Sequence, residues 1–230
     1  MKTLTFAVEG ADKELPFTPV RLINAGYTGR NQEAVQKHVE ELKSMGIPAP
    51  KRTPAFFPKD ADRIQMGGEI HPLDEDCSSE VETVLLVTRD GWYITVGCDI
   101  FDYKVEGLQA DKSKSLYPNF LAAKAWRYEE IKDHWDQLVM RSWLGKERAQ
   151  LYQEGTLEQI MTLEDMMEAL KPFVEGGLVE GTVVSCGTLG CLVDGMPYTD
   201  FFEFELEDPV LGRKLGGSYE LKKLSWYQEA

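Results

Sequence analysis

The sequence runs to 230 residues, of which 43% are hydrophobic and 10% aromatic, enough apolar material for one large or two modest domains and too much for a disordered chain. A net charge of −14 disfavours nucleic acid or an anionic membrane as a partner, because both need a basic surface to neutralise phosphates. The N-terminal MKTLTFAVEG lacks the apolar run of a signal peptide, and no stretch nears the roughly 20 apolar residues that span a bilayer, so a cytoplasmic protein is expected.

In chain order, a strand is predicted over Thr3 to Val8 and another around Val20 to Ile23, followed by a turn at Ala25-Gly26-Tyr27-Thr28-Gly29. From Asn31 to Met45 the period changes to helical. Ala34, Val35, His38, Val39 and Leu42 share one side, and Gly46-Ile47-Pro48 stops the run. His38 and Glu41 stand three apart on that helix, the arrangement of a carboxylate-oriented general base and equally of a surface ion pair. Thr53 to Lys59 is an aromatic segment between prolines and is excluded as a central strand. Gly67 to Pro72 reads as a short strand or loop carrying a second imidazole, His71.

The stretch from Cys77 to Glu106 is the strongest local signal. Its β-branched and aromatic runs flank Arg89-Asp90-Gly91, which predicts a hairpin. Strand side chains repeat every two residues, so Glu80 and Glu82 share a face, and the returning strand brings Asp99 toward them. Three hard oxygen ligands describe a Mg²⁺ or Mn²⁺ site; the competing reading is the solvent face of an antiparallel sheet. A metal there would make a small anionic substrate compatible with so acidic a chain. The four cysteines, at 77, 98, 186 and 191, lack CxxC spacing and are expected to be reduced, buried thiols. Further on come a short helix over Glu129 to Asp136 and a strand over Leu138 to Trp143. Thr162 is predicted to cap a helix whose Met166, Met167 and Leu170 enter the core, and closing strands are expected at Phe201 to Leu206 and Tyr219 to Leu224.

Taken together, these segments resemble the fumarylacetoacetate hydrolase superfamily, the C-terminal-domain type, over about Gly26 to Leu224. GRNQEAVQKHVEEL is similar to its lid segment, PAFFPK to its Pro-x-x-Phe-x-Lys segment, Glu80-Val81-Glu82 to its metal pair, and Cys98 to Asp102 to the motif that supplies the third ligand. Lys112-Ser113-Lys114 looks like the segment that places a lysine over the substrate, with Lys112 favoured. Leu178 to Thr188 resembles the family's Gly-Thr segment, which makes Gly187 and Thr188 the expected holders of the substrate carboxylate. Tyr103 stands where the family has an arginine, which puts the substrate in doubt.

The resemblance implies a mainly β, α+β fold: a mixed β-sandwich and β-roll with short helices and a lid helix. It implies one catalytic domain over 1–230, with N-terminal strands and lid over 1–60, a metal-binding core over 61–230, and commonly a homodimer. It also implies a Mg²⁺-dependent hydrolase or lyase of a small 2-oxo or 2,4-dioxo acid that cleaves a C–C bond and releases an enolate. In that scheme His38, oriented by Glu41, activates water, while Lys112 or Lys114 and Thr188 offset developing charge. Decarboxylation, isomerisation or hydration of a related keto acid, or a binding protein that keeps the fold without the chemistry, are the alternatives.

Overall fold

Two twelve-residue strands, Cys77–Thr88 and Gly91–Asp102, pair antiparallel along their whole length around the two-residue loop Arg89-Asp90. The computed structural model describes residues 2–11, 13–44 and 49–226, with the side chains of His38, Glu41 and Leu42 outside the described set. The hairpin lies at the middle of a ten-stranded sheet. On one side follow Thr182–Ser185, Arg21–Gly26 and the edge strand Ala55–Lys59; on the other, Lys124–Arg127, Leu4–Val8 and Lys13–Phe17. Asn119–Leu121 also pairs with the second hairpin strand, and Ile64–Gln65 pairs with it in turn. Three pairings are parallel, Thr182–Ser185 with Arg21–Gly26, Leu4–Val8 with Lys124–Arg127 and Ile64–Gln65 with Asn119–Leu121, so the sheet is mixed.

A second sheet of five strands runs in the order Gln150–Thr156, Val139–Leu144, Phe201–Asp208, Arg213–Leu221, Glu69–Ile70. The main core fills the space between the sheets, with Val81, Leu85, Ile94 and Ile100 of the hairpin among its residues, together with Met140, Tyr152, Phe202, Phe204 and Tyr219 of the second sheet. The other face of the hairpin is buried as well. Val84, Leu86 and Tyr93 join Leu4, Phe6, Leu15, Phe17, Leu22, Leu121 and Val183 in a smaller core inside the curl of the ten-stranded sheet. A strand covered on both faces needs no polar alternation, which accounts for the unbroken apolar run from Val81 to Val87 apart from Glu82 and Thr83.

Most expected elements are present, with shifted ends. The lid segment is a helix over Gln32–Ser44, whose predicted stop at Met45 to Pro48 lies outside the described residues. Thr162 caps Leu163–Leu170, its Oγ1 accepting from the Asp165 amide at 3.2 Å, and Met166 and Met167 are buried. The segment over Glu129 to Asp136 is two 3₁₀ segments parted at Ile131, the second kinked at His134, rather than one helix. The last strand begins at Arg213, earlier than the apolar pattern suggests, because Gly216 and Gly217 pack against Phe204 without a side chain of their own. Lys13–Phe17, hidden from the sequence reading by Pro16, is an edge strand, where a missing amide donor is tolerated. Cys77, Cys98 and Cys186 are buried and free as expected; Cys191 corrects the expectation, since its loop leaves it exposed.

Candidate metal and substrate site

Along the first hairpin strand one face reads Leu86, Val84, Glu82, Glu80, passing from the small core to an acidic end. The neighbouring strands make the same change, staggered by up to a pair of residues along the sheet: Leu22 to Asn24, Val183 to Ser185, and Leu121 to Asn119. The polar end of the curl is therefore built by register, several strands each placing one polar residue two positions beyond an apolar one. Glu80 lies directly opposite Asp99, and Glu82 opposite Gly97. A Cβ on Gly97 would meet the Phe120 carbonyl oxygen at 2.5 Å, so the glycine permits the strand Asn119–Leu121 to close over the site.

Carboxylate oxygens of Glu80, Glu82 and Asp99 lie within 4.8 Å of one another. Asp99 is fully buried and Glu82 nearly so, which rules out the solvent-face reading. The Asp99 Oδ1 has no hydrogen-bond partner and only the Lys59 ammonium, 3.6 Å away, to offset its charge, a partly compensated position for a buried carboxylate. A donor set of three carboxylates with one unpartnered oxygen fits Mg²⁺ or Mn²⁺, hard ions that take oxygen ligands.

Two buried ammoniums reach the same cluster. Lys114 Nζ stands 2.5 Å from Asp99 Oδ2, 3.8 Å from Glu80 Oε2 and 3.8 Å from Glu106 Oε1, with the Phe101 ring 4.8 Å away. Lys59 Nζ lies 3.6 Å from Asp99 Oδ1 and donates to Asn119 Oδ1 at 2.7 Å; Asn119 in turn donates to Asn24 Oδ1 and Ser185 Oγ. Burial pushes the Glu80 carboxyl up to about 7, against the opposing pull of Lys114. Burial and the charge of Asp99 raise Glu82 well above the ordinary glutamate range. Burial works to lower Lys114, but Asp99, Glu80, Glu106 and Glu82 outweigh it and hold the ammonium above the ordinary lysine value. Lys59 goes the other way, lowered by burial more than Asp99 restores.

The free edge of the Glu80–Glu82 segment is held by side chains. Buried Gln153 accepts from the Val81 amide at 3.0 Å and from Ser142 Oγ at 2.9 Å, and donates to Thr188 Oγ1 and the Leu189 carbonyl. Thr188 Oγ1 donates to the Val81 carbonyl at 2.8 Å, and the Gly187 amide lies 3.4 Å from Glu82 Oε2. At Gly187 the chain adopts φ +102°, where a Cβ would fall 1.8 Å from Thr28 Oγ1. This turn aims the amide at the carboxylate.

The structure thus brings Glu80, Glu82, Asp99, Lys114, Gly187 and Thr188 together. Lys112 is exposed on the helix Ala110–Leu116, while Lys114, two residues on, turns into the cluster. The Tyr103 hydroxyl donates to Asp76 Oδ1 at 2.8 Å, and Asp76 also pairs with Lys104. The backbones of His38 and Glu41 lie on the helix Gln32–Ser44, and their side chains lie outside the described residues. His71 is a surface residue against Glu69. Lys59, Glu106, Asn119 and Gln153 were missed as site residues. Lys59 closes the PAFFPK segment and Glu106 closes the hairpin stretch, so both could have been found from them; Asn119 and Gln153 have no local signature and reach the site through long-range packing.

The curled mixed sheet and the second sheet form a fold that solved structures share. A proposed fumarylpyruvate hydrolase from Burkholderia cenocepacia is similar with a TM-score of 0.67 at 16% identity, over 97% of this chain and 93% of that one. A 2-keto-3-deoxy-D-arabinonate dehydratase complexed with magnesium and 2,5-dioxopentanoate gives 0.60 at 16% identity, over 93% and 77%. An Escherichia coli protein proposed to be an isomerase gives 0.64 at 16% identity, over 94% and 99%. No curated protein matches the sequence. Residues 25–219 match the family model DUF2848, described as a protein of unknown function, and the chain belongs to that family.

Proposed function

We propose that this protein is a divalent-metal-dependent hydrolase or lyase that cleaves a C–C bond in a small 2-oxo or 2,4-dioxo carboxylic acid. The observation that carries the reading is the Glu80, Glu82, Asp99 triad, two of its members buried, with an Asp99 Oδ1 that lacks a hydrogen bond. The magnesium and 2,5-dioxopentanoate bound by a neighbour of the same fold support the ligand class. Glu80, Glu82 and Asp99 would hold Mg²⁺ or Mn²⁺, which when bound supplies a Lewis acid for the vicinal oxygens of a 2-oxo acid.

The chain's own residues supply the rest. The Lys114 ammonium, kept charged by its carboxylate neighbours, is placed to offset negative charge that develops on a substrate oxygen. Lys59 holds Asp99 and, through Asn119, fixes the strand that roofs the site. Thr188 already spends its hydroxyl proton on the Val81 carbonyl, so its role toward a substrate carboxylate is that of a shaped wall unless that bond yields. The helix Gln32–Ser44 is mostly exposed along its first turns and would close as a lid, bringing His38 and Glu41 to the water that attacks the distal carbonyl. A cytoplasmic homodimer completes the proposal.

Calorimetry with Mg²⁺ and Mn²⁺ tests it, on the wild type and on Glu82→Ala and Asp99→Ala, with and without oxalate. Binding in the wild type and its loss in both variants is the expected outcome; no binding to the wild type in the presence of oxalate overturns the reading. A panel of 2,4-dioxo acids, assayed for cleavage, decarboxylation and isomerisation, then identifies the reaction.

A further inference from the structure

The acidic cluster extends beyond the triad to a fourth carboxylate. Glu106 ends the short helix Tyr103–Glu106 and sends its carboxylate to within 3.8 Å of Lys114 Nζ, on an ammonium already engaged with Asp99 and Glu80. Its side chain is 30% exposed, so it stands at the mouth rather than in the floor. Tyr27 takes a left-handed backbone conformation at φ 58°, and burial first, then the charges of Glu106 and Glu80, raise its phenol above the ordinary tyrosine value against the opposing pull of Lys114. Four carboxylates, Glu80, Glu82, Asp99 and Glu106, thus face two ammoniums, Lys59 and Lys114, both already turned toward Asp99. Among the described residues no arginine pairs with any of the four.

A divalent cation brings the fully ionised site only to neutrality. The 2-oxo carboxylate of a substrate then adds one negative charge, for which Lys114 is the nearest counter-charge. A second carboxylate at the far end would be laid against Glu106, where the cations paired with the cluster among the described residues are Lys59 and Lys114, both already turned to Asp99, and like charges juxtaposed in a partly desolvated site repel strongly. A hydroxyl or other donor at that end would instead meet a carboxylate acceptor and a phenol.

Resting on the metal-dependent keto-acid reading above, we infer that Glu106 is a specificity-determining residue: it selects 2-oxo acids whose distal end donates hydrogen bonds and rejects those that carry a second carboxylate there.

The test is titration calorimetry on Mg²⁺-loaded protein with oxalate, 5-hydroxy-2-oxopentanoate and 2-oxoglutarate, on the wild type and on Glu106→Gln, with each affinity expressed relative to oxalate on the same protein. The wild type is expected to bind 5-hydroxy-2-oxopentanoate at least about tenfold more tightly than 2-oxoglutarate. Glu106→Gln, which keeps shape and removes charge, is expected to reduce that preference to about threefold or less by strengthening 2-oxoglutarate. Equal binding of the two acids by the wild type, or a preference unchanged in Glu106→Gln, overturns the inference while oxalate binding leaves the metal reading standing. Failure of oxalate itself to bind overturns both.

Discussion

Asp99 concentrates more of this protein's physical chemistry than any other side chain. It is fully buried, one oxygen lies 2.5 Å from Lys114 and 3.6 Å separates the other from Lys59, yet that second oxygen lacks a hydrogen bond. A buried charge kept only partly compensated is costly unless something else completes its shell. Gly187 shows the same economy in the backbone. Its φ of +102° is open to glycine at little cost, and the space a Cβ would need is filled by Thr28. Gly187→Ala is expected to destabilise the fold by about 3 kcal/mol, as a clash added to a strained φ, and to weaken Mg²⁺ binding by moving the amide off Glu82. Urea denaturation and calorimetry on the one variant check both effects; a variant as stable as the wild type contradicts the geometry.

Elements are joined by polar contacts at their ends. Asp208, at the end of the strand Phe201–Asp208, accepts from the Val210 and Leu211 amides, from His134 Nε2 at 3.0 Å and from Arg213 Nε at 3.2 Å. It ties a strand, the next strand and a 3₁₀ turn in one buried group. Burial alone would raise its carboxyl, but the Leu211 amide, His134 and Arg213 outweigh burial and hold it below the ordinary aspartate value. The unfolded chain therefore binds the proton more readily than the folded one, so this contribution is complete above the ordinary aspartate pKa of about 4 and is lost as pH falls below it. Asp208→Asn is expected to be less stable than the wild type at pH 7, with the gap narrowing as the pH falls below about 4. Denaturation curves at a series of pH values measure it, and a gap constant with pH would refute the assignment.

At the scale of the whole molecule, the site depends on the curl of the larger sheet. Asn24, Lys59, Asn119 and Ser185 come from four strands, and Glu80, Glu82 and Asp99 from the hairpin that binds the two sheets together. A ligand of these carboxylates therefore acts on global stability. With Mg²⁺ at 100 times its dissociation constant, linkage stabilises the folded state by about 2.7 kcal/mol, and the melting temperature should rise accordingly. Asp99→Ala should show no such rise. A melting temperature that climbs equally in both proteins would point to binding elsewhere on this acidic surface.

The hairpin, its loop and the pairing of Glu80 with Asp99 were legible in the residues alone, because a period of two and a tight turn are local properties. The lid helix and the Thr162 cap were legible for the same reason. The ordered resemblance of the motifs carried the fold class. Tertiary structure decided what local pattern leaves open. It showed that Glu82 and Asp99 are buried rather than solvated, because the larger sheet curls over a face that strand periodicity cannot assign. It turned Lys114 rather than Lys112 into the cluster, a matter of which way a seven-residue helix is rotated against the hairpin. It also brought in Lys59, Asn119 and Gln153, residues distant in sequence from the hairpin carboxylates, which packing between strands places and spacing along the chain does not, and Glu106, close in sequence but turned to Lys114 by a short helix.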